Sequence, residues 1–184
     1  MRVGLLGGSF DPVHYGHLRA AEWAREAFDL KAVRLVPARQ SPFKGPPLAS
    51  AEDRRVMLTL ATAGHGSLEV ETCELDRPIP SYTVDTLRTL TARAPKDRLV
   101  LILGSDAAAA LDQWQNAEEV RRLAEIRVLP RPGEAGTGDP ASAAFQGLFI
   151  SSSALRRAIR DGHSVRYLTP EPVRHYIEAK GLYA

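Results

Sequence analysis

Short apolar runs alternate with amphipathic segments along almost all of this 184-residue chain, and that alternation limits the folds open to it. Val3–Leu6, Ala32–Val36, Leu68–Leu75, Leu99–Leu103, Ile126–Leu129 and Leu148–Ser151 read as strands. Leu99–Leu103 (LVLIL) is apolar at every position, the mark of a strand buried on both faces. Between the runs, apolar residues recur at helical spacing. Leu18, Ala21, Ala24 and Phe28 do so in a helix expected from Gly16 to Phe28. Further helices are expected from Ser50 to Ala63, over Thr83–Arg93, from Asn116 to Leu123, over Ser153–Arg160 and over Pro172–Ala179. Ser50 with Asp53, and Asn116 with Glu119, supply helix starts. Gly162 and Gly181 supply stops. This order predicts an α/β fold: a doubly wound, mostly parallel sheet. Arg131–Ala144, rich in Pro, Gly and Ala, shows no periodicity and is expected to be a loop.

Length predicts one domain over residues 1–184. Twenty-four basic against twenty-two acidic residues leave a net charge of +2, with no long basic run. A nucleic-acid groove is therefore not expected. The single cysteine, Cys73, excludes an internal disulfide and points to a reducing compartment. The opening apolar run is too short for a secretory leader, and no stretch is long enough to span a membrane. The expectation is a cytoplasmic protein without a membrane partner. The oligomeric state is left open, a homo-oligomer included.

In such sheets ligands bind beyond the carboxyl ends of the strands. That rule selects the segments Gly7–His17, Pro37–Lys44, Gly104–Asp106 and Ser151–Arg156. The first reads GGSFDPVHYGH and holds two of the five histidines. It matches neither a GxGxxG dinucleotide turn nor a GK[ST] phosphate loop. Gly7 and Gly8 still permit close backbone approach to a ligand, and Pro12 sets a turn. His14 and His17 share one face of a helix start, where free N–H groups and the helix dipole favour an anion. Gly16, lacking a side chain, is expected to leave room there for a large group. No nucleophile elbow and no cluster of metal ligands is found.

GSFDPVHYGHL resembles the G-x-F-D-P-x-H-x-G-H signature of the nucleotidyltransferase superfamily that carries the HxGH motif. ISSSALR (Ile150–Arg156) resembles its second signature, I-S-S-[ST]-x-x-R. PSYTVDTL (Pro80–Leu87), GSDAAAALDQW (Gly104–Trp114) and LTPEPVRHYIEAKGLY (Leu168–Tyr183) are similar to segments of the nicotinate-nucleotide adenylyltransferase family. The resemblance implies a Rossmann-like nucleotidyltransferase fold with a small C-terminal helical part. It implies adenylyl transfer from ATP to nicotinate mononucleotide, giving nicotinate adenine dinucleotide and pyrophosphate. Mg²⁺ would arrive with ATP, with no metal site built from protein groups.

The resemblance also assigns roles. His14, His17 and Arg156 are the catalytic candidates. Gly8, Ser9, Phe10, Gly16, Lys44, Ser152 and Ser153 join them around ATP, with Ser9 and Phe10 near the adenosine and α-phosphate. Ser152 and Ser153 open a helix, and capping is compatible with phosphate contact. From the residues alone, Lys44 is either a phosphate contact or a solvated surface lysine. The family's usual Pro-Pro-His-Lys reads Ser41-Pro42-Phe43-Lys44 here, so Phe43 stands in place of a histidine. Ser81, Tyr82, Thr83, Asp106 and Trp114 are the candidates for the acceptor nucleotide. Thr83 opens a helix whose free N–H groups suit a carboxylate. Trp114 offers a face for a pyridine ring. Asp106 is either a ribose contact or a helix cap.

Three rival readings share parts of this pattern. Pantetheine-phosphate adenylyltransferases usually carry Thr where His14 stands, and they lack the SYT and Trp114 features. An enzyme specific for nicotinamide mononucleotide differs only around the ring. A nucleotide-sensing or RNA-binding module without activity is at odds with two intact signatures and a modest charge.

Overall fold

The structure, a computed structural model, describes residues 1–130 and 145–184. The loop expected at Arg131–Ala144 lies outside them. The described strands are β1 (Arg2–Gly8), β2 (Ala32–Pro37), β3 (Leu68–Val70), β4 (Arg98–Gly104) and β5 (Glu125–Leu129). The helices are α1 (Tyr15–Ala27), α2 (Ala51–Thr62), α3 (Thr83–Arg93), α4 (Ser105–Ala109), α5 (Ala117–Leu123), α6 (Ser152–Arg160) and α7 (Glu171–Lys180).

Every strand pair is parallel, in the order β3-β2-β1-β4-β5. The expected doubly wound sheet is thus wholly parallel and Rossmann-like, and helices cover both faces. The pleat sorts the core. Val33, Leu35, Val100 and Ile102 point to one side and pack with residues of α1, α2 and α7. Leu5, Val36, Leu99, Leu101 and Leu103 point to the other and pack with α3 and α5. Burial of LVLIL on both faces is what its unbroken apolar run requires.

Winding starts at β1, moves outward through β2 and β3, then returns to β4 on the other flank of β1. The winding direction therefore reverses between β1 and β4. A crevice opens there, beyond the strands' carboxyl ends.

Two expectations change. The strand read over Leu68–Leu75 stops at Val70, and Leu75 N–H donates to the Thr72 carbonyl at 2.8 Å. Cys73, Glu74 and Leu75 are all buried, which a turn allows and an alternating strand does not. Leu148–Ser151 is no strand: Ile150 N–H donates to the Leu148 carbonyl at 2.8 Å, folding the segment on itself, and Phe149 is 85% exposed. In addition, α4 runs over Ser105–Ala109, where no helix was expected.

Candidate active site

The first functional segment runs from the end of β1 into α1. An added methyl at Gly7 would meet no protein atom, so the fold does not demand glycine there. At Gly8 a methyl would sit 3.1 Å from the Phe10 ring. That ring is 1% exposed, and its residue takes a left-handed φ of 48°. A non-glycine residue rarely adopts this conformation, and here burial of the ring compensates for it. The Phe10 side chain therefore lies in the core. It supports His17 edge-on, with ring centroids 4.9 Å apart.

His14 is the N-cap residue of α1 and is buried. The imidazoles of His14 and His17 stack at 3.7 Å, 22° from parallel. His14 N–H donates to His17 Nδ1 at 3.3 Å. That nitrogen carries no proton, so in the neutral ring the proton sits on Nε2. Burial pulls the His14 pKa down to about 4. Burial, with the charges of His14 and Lys44 adding to it, holds His17 well below its ordinary value. Both rings are neutral donors at pH 7. The role expected for Gly16 changes: a methyl there would lie 2.9 Å from His14 Nδ1. The room beside Gly16 is taken by the first imidazole.

The second functional segment docks on the first through backbone carbonyls. Arg156 Nη1 donates to the Asp11 carbonyl at 2.7 Å, Ser152 Oγ to that of Pro12 at 2.9 Å, and Thr169 Oγ1 to that of Val13 at 2.8 Å. Ser153 Oγ accepts from Arg156 at 3.4 Å. The cap of α6 is Ser151, whose hydroxyl accepts from Ala154 N–H. Ser152 is thereby free to brace the turn. His14, His17, Ser152, Ser153 and Arg156 gather around one loop.

Lys44, exposed in the loop after β2, lies near enough for its charge to act on His17. In that loop Ser41 accepts from Phe43 N–H through its hydroxyl at 3.2 Å, and from Lys44 N–H through its carbonyl at 3.4 Å. The Phe43 ring, 58% exposed, faces Trp114 at 6.5 Å between centroids and 32° from parallel.

The acceptor candidates divide. Ser81 is engaged structurally: its hydroxyl accepts from Arg39 N–H at 3.0 Å, and its N–H donates to the Gln40 carbonyl at 2.8 Å. It ties the exit of β2 to the start of α3. Tyr82 is the N-cap residue of α3, and no side chain caps that end. The first-turn N–H groups of Thr83 and Val84 are thus not claimed by a capping side chain. Asp106 lies in the first turn of α4, where Gly104 is the N-cap residue, so Asp106 is not a cap. Trp114 is half-buried just beyond, against the β4 side of the core, whereas Trp23 on α1 is a core residue.

Three residues with site consequences carried no role in the sequence reading. Asp11 is buried, and its carboxylate accepts from Leu48 N–H, Ala49 N–H and the Tyr183 hydroxyl at 2.8, 3.0 and 2.7 Å. Arg54 is 1% exposed and donates to the carbonyls of Ser9, Ala38 and Arg39. It shares a helix face with Met57, Leu58 and Ala61, so an arginine on an apolar stripe was the available signal. Asp11 and Tyr183 lie in the quoted segments, but their pairing spans 172 residues and leaves no local trace.

Among the described residues, no group of three or more His, Cys, Asp or Glu side chains could hold a metal ion. No described helix is long and apolar enough to cross a membrane.

A parallel sheet with paired imidazoles over its central strand defines a nucleotide-handling class, and the comparisons agree. The chain belongs to the cytidylyltransferase-like family, whose model matches residues 5–158. Two relatives carry the name "Probable nicotinate-nucleotide adenylyltransferase". That of Geobacillus kaustophilus is 42% identical over 99% of this chain and 86% of its own length. That of Thermus thermophilus is 43% identical over the full length of both. The fold is also that of Plasmodium falciparum nicotinic acid mononucleotide adenylyltransferase, solved in complex with NaAD. Its TM-score is 0.72 at 18% identity, covering 99% of this chain and 97% of that one.

Proposed function

We infer that the chain transfers the adenylyl group of ATP to nicotinate mononucleotide, releasing pyrophosphate and forming nicotinate adenine dinucleotide for NAD biosynthesis. One observation carries this reading. The winding reversal between β1 and β4 has the stacked imidazoles beyond β1, Asp106 and Trp114 beyond β4, and the uncapped start of α3 tied by Ser81 to the exit of β2.

The chemistry follows from these groups. The attacking oxygen belongs to a phosphate already ionised at neutral pH, so no strong base is needed. It bonds to the α-phosphorus as the bond to the bridging oxygen of pyrophosphate breaks. Catalysis is then in-line positioning and neutralisation of charge. His17, a neutral donor through Nε2, and His14 hydrogen-bond the phosphates. Lys44 and Arg156 offset charge on the leaving group. The open backbone at Gly7 lets the nucleotide lie close to β1. For the acceptor, the N–H groups of Thr83 and Val84 receive the nicotinate carboxylate, Asp106 bonds a ribose hydroxyl, and Trp114 takes the ring face. A carboxylate is attracted to a helix N-terminus and an uncharged amide is not, which favours the acid over nicotinamide mononucleotide. Mg²⁺ enters as part of the ATP substrate, held chiefly by phosphate oxygens. The setting proposed is the cytoplasm, with no nucleic acid or membrane involved.

The test supplies Mg²⁺-ATP with nicotinate mononucleotide, nicotinamide mononucleotide or phosphopantetheine in turn, and measures pyrophosphate and the dinucleotide product. Fastest turnover is expected on nicotinate mononucleotide. Fastest turnover on phosphopantetheine, or none on any acceptor, overturns the assignment.

A further inference from the structure

We propose that Phe43 and Trp114 are the two walls of a slot that takes the positively charged pyridine ring of the acceptor mononucleotide, with Phe43 a binding residue supplied by the loop after β2. The inference rests on the function proposed above and adds to it the second wall, which the resemblance did not supply.

Topology places the pair. Phe43 lies in the loop after β2 and Trp114 in the segment after β4, and β1 runs between those strands. Two rings from opposite flanks therefore meet over the carboxyl end of β1, at the crevice where the winding reverses. Their spacing is informative. Aromatic rings paired in direct contact, offset or tilted, keep their centroids roughly 4.5–7 Å apart. The observed 6.5 Å and 32° tilt are those of a loose aromatic pair, so a ligand ring enters by turning the exposed Phe43 ring aside.

Exposure and charge favour the same occupant. Phe43 holds a large apolar side chain 58% in water, beside a half-buried indole, at the mouth of the crevice. Covering a flat ligand would remove that surface from water. The pyridine nitrogen of the mononucleotide is bonded to ribose, so the ring is cationic. Aromatic faces attract a cation through their quadrupole, and Trp and Phe both offer such faces. A histidine at this position, once protonated, would repel the same ring. The loop also joins the two halves of the reaction. Ser41 sets its turn, Phe43 faces Trp114, and the charge of the next residue, Lys44, acts on His17.

Steady-state kinetics on the full chain, with each substrate varied in turn, test the slot. Wild type is compared with Phe43→Ala, Phe43→His and Phe43→Trp, each checked for an unchanged thermal midpoint. Loss of one aromatic wall is expected to raise KM for nicotinate mononucleotide about 3- to 10-fold, with KM for ATP within about twofold of wild type. Phe43→Trp should hold KM near the wild-type value, and Phe43→His should fall between Trp and Ala. An unchanged KM for nicotinate mononucleotide in Phe43→Ala, or an equal rise for ATP, overturns the slot while leaving the proposed reaction standing. Failure of the wild type itself to use nicotinate mononucleotide overturns both.

Discussion

His14 and His17 form one device, because the backbone N–H of the first takes Nδ1 of the second and their rings stack. Replacing His17 with Ala removes a transition-state donor, and kcat should fall by a factor on the order of 10²–10³, read from initial rates at saturating substrates. Gly16→Ala should lower kcat as well, without touching a substrate. Its methyl would collide with the His14 ring at 2.9 Å and unstack the pair. Equal kcat for Gly16→Ala and wild type would show that the stack has no catalytic weight. Burial also gives His14 a pH signature. Its folded pKa of about 4 lies below the ordinary 6.5, so between those values the unfolded chain binds a proton that the folded chain does not. The stability that His14 confers is complete above pH 6.5 and is lost as pH falls towards 4, by about 3 kcal/mol. Urea titrations at pH 7, 5.5 and 4.5 should show a steeper decline for wild type than for His14→Gln. Parallel declines would mean that the ring titrates normally.

Between residue and molecule, the elements are joined at their ends by Arg54. From inside α2 its guanidinium holds the Ser9 carbonyl beyond β1 and the Ala38 and Arg39 carbonyls beyond β2. Arg54→Met keeps the stem but leaves three carbonyls without this donor. The expected loss is about 3 kcal/mol or more in urea denaturation, since each buried acceptor left unpaired costs about 1–3 kcal/mol. A loss under about 1 kcal/mol would show that these carbonyls find other partners. Arg54 also shows where sequence reading stops. Strands such as LVLIL and helices such as Thr83–Arg93 were legible because burial imposes a period that local sequence must carry. Leu68–Leu75 misled because a buried turn can be as apolar as a strand. His14, His17 and Arg156, which the fold gathers at one loop, were legible through the two motifs that resemble the family's signatures. Asp11, Arg54 and Tyr183 were not, because each acts on carbonyls or side chains far away in sequence, and such partners leave no local pattern.

At the scale of the molecule, the turn carrying the imidazoles is held by the distant C-terminal segment. Tyr15 N–H donates to the Leu168 carbonyl, Thr169 holds Val13, Ser152 holds Pro12, and Tyr183 reaches the Asp11 carboxylate. Asp11 then fixes the loop that bears Phe43 and Lys44, through Leu48 N–H and Ala49 N–H. Its own backbone carbonyl holds Arg156. One carboxylate thus links the turn, the loop after β2 and the segment beyond α7. Tyr183 is suited to this because burial and the adjacent carboxylate raise its pKa, keeping the hydroxyl a donor. Tyr183→Phe deletes that donor while preserving the ring. Asp11 keeps two backbone N–H partners, so the fold should survive with about 2 kcal/mol less stability, as for one hydrogen bond to a charged group. The loop and Arg156 should lose definition together. KM for ATP should therefore rise more than the stability loss explains when both are measured well below the unfolding midpoint. A variant that is destabilised yet keeps the wild-type KM for ATP would restrict Tyr183 to a structural role and detach the C-terminal segment from the organisation of the site.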